Sequence, residues 1–294
     1  MEFISALING LSSGGIYAII ALGYTMVYGI AKMLNFAHGD IIMMGGYAMY
    51  VTLLLMDMPI LALAVAILFC IVLGICVERF AYKPLRGASP LAVLITAIGV
   101  SYLLQSIALI IFNTNPKMLM SLKIDGFVKL GTLIIDYSTL VTLAVSVAVM
   151  VALTVFVKYS KTGRAMVAVS EDRDAALLMG INTNRIISVT FAIGSALAAV
   201  ACYLMMTKGD TVVPTFGSMP GIKAFTAAVI GGIGSIPGAM LGGILLGVIE
   251  ALCNTKALAP ILGPYTIAIE FAVLIVILLV KPAGLLGKAR REKV

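Results

Sequence analysis

The sequence has few charged residues, a single histidine and four cysteines, and these shortages exclude whole classes of protein. Charged residues make up 11% of the 294 residues and apolar residues 62%, whereas an ordinary soluble domain has about 25% charged and roughly 45–50% apolar residues. A soluble globule of this size has too little interior to bury so much apolar surface. The composition therefore predicts a chain that folds in lipid.

Missing motifs exclude most enzymatic and metal-dependent functions. No G-x-x-x-x-G-K-[ST] loop is present to bind a nucleotide phosphate. His38 is the only histidine, which excludes any two-histidine metal site. No C-x-x-C pair occurs, and the cysteines lie within or beside apolar stretches, as small core or lipid-facing residues do: Cys70, Cys76, Cys202 and Cys253. We expect no enzymatic activity, no metal and no cofactor.

Apolar stretches of about 20 residues predict transmembrane helices, because such a helix spans the hydrocarbon core. The first stretch lacks a basic n-region and a cleavage site, so we expect it to be retained as a span. An eighth stretch, 223–253, is too long for one span and is interrupted by G-G-I-G-S-I-P-G at 231–238. We predict an all-α polytopic bundle of about eight membrane segments, forming one domain over residues 1–294. The seven single stretches are 4–30, 40–57, 59–80, 89–112, 138–157, 189–207 and 265–281.

The basic residues predict the orientation of the chain. Despite a net charge of +7, they lie between the apolar stretches, a pattern that indicates membrane orientation rather than nucleic-acid binding. Four segments hold 14 of the 20 Lys and Arg residues and are expected to be cytoplasmic: 31–39, 79–88, 158–188 and the tail 281–294.

This orientation constrains the eighth stretch. Both ends of 223–253 then lie outside, so the segment is expected to enter the membrane and return, reversing at 231–238. Irregular backbone is tolerated at membrane depth where it is buried in protein or lines a cavity. The alternative is one long tilted helix kinked at Pro237, which would place the C-terminal tail outside.

Small residues also mark the first stretch, where I-N-G-L-S-S-G-G at 8–15 resembles the later glycine-rich break. Two interrupted apolar segments in one chain indicate a transport site between repeats. Small residues equally serve close helix packing. The candidate pathway residues are Gly10, Gly14, Gly231, Gly232, Gly234, Pro237 and the deepest carboxylate, Glu270.

Three other carboxylates are expected in the lipid-embedded part of the chain, where an ionisable group is costly. Asp40 and Glu78 are expected near the cytoplasmic interface, and Glu250 near the outer end of its helix. We interpret all three as solvated or helix-end charges. The spans contain no ordered series of acidic residues, so a proton relay has little support.

The connection 158–188 contains a predicted short helix over about 170–180. Ser170 is expected to cap its N-terminus and Gly180 to end it. Ala175 and Ala176 form a patch of small residues. Because so short a helix is marginal in water, we expect it to dock on another surface. The alternative is a surface helix on lipid headgroups.

The string Asp174-Ala175-Ala176-x-x-x-Gly180 resembles the E-A-A-x-x-x-G coupling loop of ABC importer permeases, with Asp for Glu and without the downstream Leu-Pro. A wider similarity, over about residues 5–285, is to branched-chain amino acid permeases of the LivH type. N-F-A-H-G-D at 35–40 is its most specific string. Further matching strings are N-G-L at 9–11, A-L-G-Y-T-M-V-Y-G at 21–29 and G-G-I-G-S-I-P-G-A at 231–239.

The resemblance implies a permease in a prokaryotic inner membrane. Its implied partners are a second homologous permease, two cytoplasmic ATPases and an extracytoplasmic binding protein that delivers Leu, Ile or Val. It also implies an ATPase contact made by Glu171, Asp174, Ala175, Ala176 and Gly180. The matching residues Asn35, His38, Gly39 and Asp40 are open to two interpretations, a structural turn or a gate.

Three other functions remain open from the sequence. The nearest is a urea or short-amide permease of the same superfamily. The others are a self-contained secondary carrier and a membrane assembly or receptor subunit that translocates nothing.

Overall fold

The computed structural model describes residues 2–130 and 133–287, most of them in long helices. Four basic residues of the predicted cytoplasmic tail lie outside the described residues: Lys288, Arg290, Arg291 and Lys293. The helices are α1 (Glu2–Ala31), α2 (His38–Leu55), α3 (Pro59–Val77), α4 (Pro90–Phe112), α5 (Tyr137–Tyr159), α6 (Lys161–Glu171), α7 (Arg173–Leu178), α8 (Thr183–Thr207), α9 (Ser218–Gly231), α10 (Ile236–Cys253), α11 (Ala259–Leu262) and α12 (Thr266–Val280).

Short strands occur only in the connections. They are β1 (Lys117–Met118), β2 (Phe127–Leu130), β3 (Leu133–Asp136) and β4 (Thr211–Val212). β2 and β3 form an antiparallel hairpin. β1 pairs antiparallel with β4, with Lys117 opposite Val212. This second pair joins two connections that are far apart in the sequence.

Seven helical segments in the described part of the chain are long and apolar enough to cross a membrane, and the predicted all-α polytopic bundle is confirmed. The segments are Phe3–Ala31, Pro59–Leu85, Pro90–Phe112, Tyr137–Tyr159, Thr183–Thr207, Ile236–Cys253 and Ala259–Val280. α2 is not among them, and its first turn carries the polar residues His38 and Asp40. α1 and α8 are the most buried of the seven and form the centre of the bundle.

The apolar stretch 223–253 folds as a helical hairpin. The last turn of α9 packs on the first turn of α10, with Gly231 against the Gly238 carbonyl and Gly242 against the Ala227 carbonyl. These pairs show that the two helices run antiparallel. Gly232 (φ +107°) and Gly234 (φ +94°) adopt the left-handed backbone needed for the reversal. The predicted turn at 231–238 is confirmed, and the single kinked helix is wrong.

The expected interruption of the first apolar stretch is wrong, because α1 is continuous from Glu2 to Ala31. Gly10 and Gly14 face α10 instead. A Cβ on Gly10 would lie 2.9 Å from the Val248 Cα, and one on Gly14 would lie 2.8 Å from the Ile244 Cα. These two residues therefore permit close packing of α1 on α10, which was the alternative interpretation.

Three basic connections meet the C-terminus of α1 and the α9–α10 turn (232–235) at one end of the bundle, here called the basic end. The basic connections are 78–89, 158–182 and 281–287. One cavity is lined jointly by residues 28–34, 87–94 and 169–173. The Leu285 N–H donates to the Ile230 carbonyl at 2.8 Å, which holds the C-terminal segment against the α9–α10 turn. The parts of the predicted basic segments that the structure describes therefore lie on one side, except His38 and Gly39, which pack inside the bundle.

Candidate functional site

α2 begins inside the bundle rather than at its edge. After α1 reaches the basic end at Ala31, residues 32–37 run back, and α2 begins at His38. The His38 imidazole lies against Gly23, where a Cβ would be 2.5 Å from Nε2. Gly23 is eight residues before the end of α1, about 12 Å of helix. The N-terminus of α2 therefore lies at membrane depth.

α9 begins at the same place from the opposite direction. α8 ends at Thr207, the chain forms β4, and residues 213–217 lead to the start of α9 at Ser218. Gly39 packs directly on Gly217 and Gly221, so the first turns of α2 and α9 touch. We call this contact the α2–α9 junction. Two reversed units, α1–α2 and α8–α9, thus bring two helix N-termini together, an arrangement that transporters use around a substrate site.

A polar group lies at the α2–α9 junction. The Gln105 amide nitrogen of α4 donates to Asp40 Oδ1 at 2.8 Å and lies 3.3 Å from Ser101 Oγ and 3.4 Å from Ser218 Oγ. Asp40 is only 2% exposed. Its expected position at the cytoplasmic interface is therefore wrong, because the chain re-enters the bundle before α2 begins.

A cavity of about 300 Å³ opens beside this polar group, here called the junction cavity. Its polar wall consists of Asp40, Ser101, Gln105 and Ser218. Its apolar and aromatic wall is formed by Tyr24, Phe36, Leu94, Ile98, Tyr102 and Ile222. The arrangement suits a small solute with one polar end and one aliphatic end.

The other residues of the N-F-A-H-G-D string hold the re-entrant segment in place. The Tyr82 hydroxyl donates to Asn35 Oδ1 at 2.9 Å. The His38 ring packs edge-on against Tyr24, with centroids 4.7 Å apart. His38 Nε2 has no hydrogen-bond partner within the described ranges. These contacts support the structural-turn interpretation for Asn35 and His38, whereas Gly39 and Asp40 belong to the junction itself.

Glu78 is 1% exposed, so its interpretation as a solvated charge is also wrong. It forms an ion pair with Arg86 and accepts a 2.7 Å hydrogen bond from the Ser188 hydroxyl. Arg86 also donates to Asn184 at the start of α8. Burial lowers the pKa of the Arg86 guanidinium, Glu78 opposes that shift, and Arg173 of α7 adds to it. The Glu78–Arg86 ion pair thus links the end of α3 to the start of α8, and it lies near the charge of Arg173 in α7.

Glu250 and Glu270 share one cation. Lys223 Nζ lies 2.6 Å from Glu250 Oε1 and 3.2 Å from Glu270 Oε1, and the Tyr17 hydroxyl donates to Glu250 Oε2 at 2.7 Å. Lys223 lies in the second turn of α9. The cluster joins α1, α9, α10 and α12, so Glu270 has a clear packing partner, and its lining of a pathway stays a prediction.

The segment predicted as one helix over 170–180 consists of the end of α6 and the separate short helix α7. Asp172, not Ser170, caps α7, because its Oδ1 accepts from the N–H groups of Asp174 and Ala175 at 3.0 Å each. The Ser170 hydroxyl instead donates to the Val167 carbonyl inside α6. Asp172 is the cap because it directly precedes α7, whereas Ser170 lies inside α6. The predicted helix boundaries were therefore wrong.

Gly180 ends α7 as expected, with φ +80°. The Ile181 N–H donates to the Ala176 carbonyl and the Gly180 N–H to the Leu177 carbonyl, each at 3.0 Å, which is a Schellman cap. The idea that Ala175 and Ala176 together form a docking patch is wrong for Ala176, which is buried at 4% exposure. The exposed residues of α7 instead include Asp174, Ala175, Leu177 and Leu178, with Glu171 exposed at the end of α6 and Met179 just after α7.

Gln105, Ser218, Lys223 and Tyr82 were not recognised from the sequence. Gln105 and Lys223 are isolated polar residues in otherwise apolar stretches, which is a readable signal. Ser218 and Tyr82 are ordinary in their sequence surroundings, so only the fold shows their partners. No group of three His, Cys, Asp or Glu residues suited to a metal ion occurs in the described part of the chain.

Comparisons of the sequence with known proteins show the family of this chain. The model of the branched-chain amino acid transport system permease component matches residues 6–278. The high-affinity branched-chain amino acid transport system permease protein BraD of Pseudomonas aeruginosa is 43% identical, over 100% of this chain and 98% of its own length. LivH of Escherichia coli, of the same description, matches to the same extent.

A more distant similarity is to the ribose import permease protein RbsC of Haemophilus influenzae, 25% identical over 84% of this chain and 77% of that protein. No solved structure matches. The relatives are transport permeases rather than enzymes, and the seven apolar helices make this a multi-pass inner-membrane protein. The chain belongs to the family of branched-chain amino acid transport system permease components.

Proposed function

We propose that this chain is a membrane-spanning subunit of an ATP-driven, binding-protein-dependent importer for leucine, isoleucine and valine. The observation that carries the proposal is the 43% identity over the whole chain to permeases named for high-affinity branched-chain amino acid transport. A second homologous permease, two ATPases and an extracytoplasmic binding protein complete the assembly. The basic end faces the cytoplasm, because basic connections are retained there.

The energy source is supplied by partner subunits, because the sequence contains no phosphate-binding loop. α7 provides the surface for that partner. Leu178 is 88% and Met179 82% exposed at the basic end, where water would otherwise surround them. Burying such side chains against an ATPase is favourable by roughly 1.5–3 kcal/mol each.

The translocation step is inferred from the two reversed units, α1–α2 and α8–α9. α7 is joined to α6, and its Arg173 lies close to the Glu78–Arg86 ion pair, which is hydrogen-bonded to Asn184 and Ser188 at the start of α8. A rigid-body displacement of α7 by the closing ATPases would move α8 and, with it, the start of α9. Such movements of packed helices alternate access to a fixed central site.

The test is uptake by the assembled importer. The chain is co-expressed with its candidate permease, ATPase and binding-protein partners in cells that lack branched-chain amino acid import, and radiolabelled leucine uptake is measured. We expect saturable uptake that is lost when the phosphate-binding lysine of the ATPases is replaced by alanine. Co-purification of both ATPases with the chain is the second readout.

Three outcomes would contradict the proposal. Leucine uptake that persists with inactive ATPases indicates a secondary carrier. Uptake of urea or short amides without leucine indicates the neighbouring substrate class. Failure of any ATPase to co-purify, together with absent uptake of all these solutes, indicates an assembly or receptor subunit.

A further inference from the structure

Asp40 differs from the other carboxylates of the apolar stretches in its charge balance. Glu78 is paired with Arg86, and Glu250 and Glu270 are both paired with Lys223. Within residues 2–130 and 133–287, Asp40 has no cationic partner, and its contact is with the neutral amide of Gln105. A buried carboxylate without a cation is costly and indicates a functional role.

The fold places groups around Asp40 that favour the charged form of its carboxyl group. Asp40 lies in the first turn of α2, and Gly39 beside it contacts Gly217 and Gly221 at the start of α9. The N-terminus of each helix carries partial positive charge, which stabilises a nearby anion. The Gln105 amide adds a hydrogen bond at 2.8 Å. The site therefore fixes the position of the carboxyl group while leaving it without a cation from the described residues, so that a ligand cation could pair with it.

The junction cavity beside Asp40 has the size and polarity of an amino-acid site. Its volume is about 300 Å³, and its lining includes the aliphatic side chains of Leu94, Ile98 and Ile222. A zwitterion with a branched aliphatic side chain matches this division, with its ammonium group at Asp40 and its side chain on the aliphatic wall. Tyr102 is 66% exposed, so the cavity opens on that side of the chain.

We propose that the junction cavity is a transient binding site for the translocated amino acid, in which Asp40 receives the α-ammonium group. This inference rests on the proposed function and deepens it, since it assigns substrate recognition to the permease as well as to the binding protein. The second permease would close the open side at Tyr102 and keep the zwitterion from lipid. Ser101 and Ser218 hydroxyls complete the polar wall.

The experiment traps the substrate in the assembled importer. A diazirine analogue of leucine is supplied through the binding protein to proteoliposomes under ATP, photolysed, and its adducts are mapped by mass spectrometry. We expect adducts on Leu94, Ile98, Tyr102 or Ile222, suppressed by excess leucine. Asp40→Asn should reduce them roughly tenfold or more, because removing one member of a buried charge pair weakens binding at least that much.

The matched control is Asp57→Asn, which makes the same change in charge at an exposed position between α2 and α3 and should leave the adducts and leucine uptake unchanged. ATP hydrolysis stimulated by the binding protein is measured in parallel, and its persistence in Asp40→Asn shows that the assembly is intact. If Asp40→Asn loses that hydrolysis, the variant Asp40→Glu, which keeps the charge, decides between a role in recognition and a role in folding. Adducts at the unmodified level in Asp40→Glu support the inference, and their absence opposes it.

The results separate the two proposals. Leucine uptake by the unmodified importer with adducts only outside the junction cavity overturns the inference and leaves the proposed function standing. Adducts in the cavity that persist at full yield in Asp40→Asn also overturn it. If the unmodified importer takes up no leucine, the proposed function fails, and the inference falls with it.

Discussion

Lys223 pairs with two carboxylates in a part of the chain that has almost no other charge. It is 11% exposed as a side chain, Glu270 is 2% exposed and Glu250 26%. All three groups are therefore largely withdrawn from water. The cluster links α9, α10 and α12, because each helix contributes one of the three charges.

Replacing Lys223 by methionine should destabilise the protein by about 3–5 kcal/mol, since it leaves buried carboxylates without their cation. Thermal unfolding in detergent measures the loss. The control is Lys256→Met, an equal change in charge at an exposed residue, which should unfold at the unmodified temperature. Equal stability of the two variants would mean that the cluster is hydrated and contributes little.

Replacing Gly14 or Gly99 by alanine should change the stability of the protein in opposite directions. In Gly14→Ala the new Cβ lies 2.8 Å from the Ile244 Cα, so α1 and α10 must separate at a cost of roughly 1–3 kcal/mol. Around Gly99 of α4 there is no atom within 4 Å of a new Cβ, and Gly99→Ala should be neutral or stabilise by about 0.5–1 kcal/mol. Thermal unfolding of both variants checks the sign. A stable Gly14→Ala protein would show that this helix contact is loose.

At the scale of elements, α7 combines a buried side and an exposed side within six residues. Ala176 packs into the bundle, whereas Leu177, Leu178 and Met179 point outward. Asp172 and Gly180 fix its two ends. This division means that substitutions on the two sides test different properties.

Leu178→Glu should leave the abundance of the permease unchanged, weaken co-purification of the ATPases and abolish leucine uptake, because it introduces a charge into an apolar contact. Ala176→Glu should instead lower abundance, since the new charge would be buried without a partner. Gly180→Val should cost at least about 1 kcal/mol, because a β-branched residue resists positive φ.

Ile134→Glu is the control for this element. Ile134 is 55% exposed in β3, at the end of the bundle opposite α7, so the same type of substitution should leave ATPase co-purification intact. Normal uptake by Leu178→Glu at full abundance would exclude α7 as the coupling element.

At the scale of the whole molecule, the grouping of basic segments at one end makes orientation testable. In a background without cysteine, a thiol at position 161 in α6 should be shielded from an impermeant reagent in intact cells. A thiol at position 125, in the connection before β2, should react. Both native residues, Lys161 and Asp125, are exposed. Membrane permeabilisation is the control and should make position 161 reactive. Labelling of position 161 from outside would reverse the proposed orientation.

The amino-acid sequence by itself determined the class of the molecule and its broad layout. Length and apolarity of the stretches predict membrane helices because lipid requires internally satisfied backbone hydrogen bonds. Gly232 and Gly234 mark the turn between α9 and α10, because both adopt positive φ. Gly180 likewise marks the end of α7. These are local requirements, so they can be recognised without the rest of the fold.

Only the tertiary structure decided the depth of polar residues and the partners they find. Asp40 looks like an interfacial charge in the sequence, yet the return of residues 32–37 places it inside the bundle, beside Gln105 from a helix 65 positions away. Gly10 and Gly14 look like a break in a helix, yet α10 packs on them. The physical reason is that burial and pairing depend on contacts between segments distant in sequence, which no local pattern encodes.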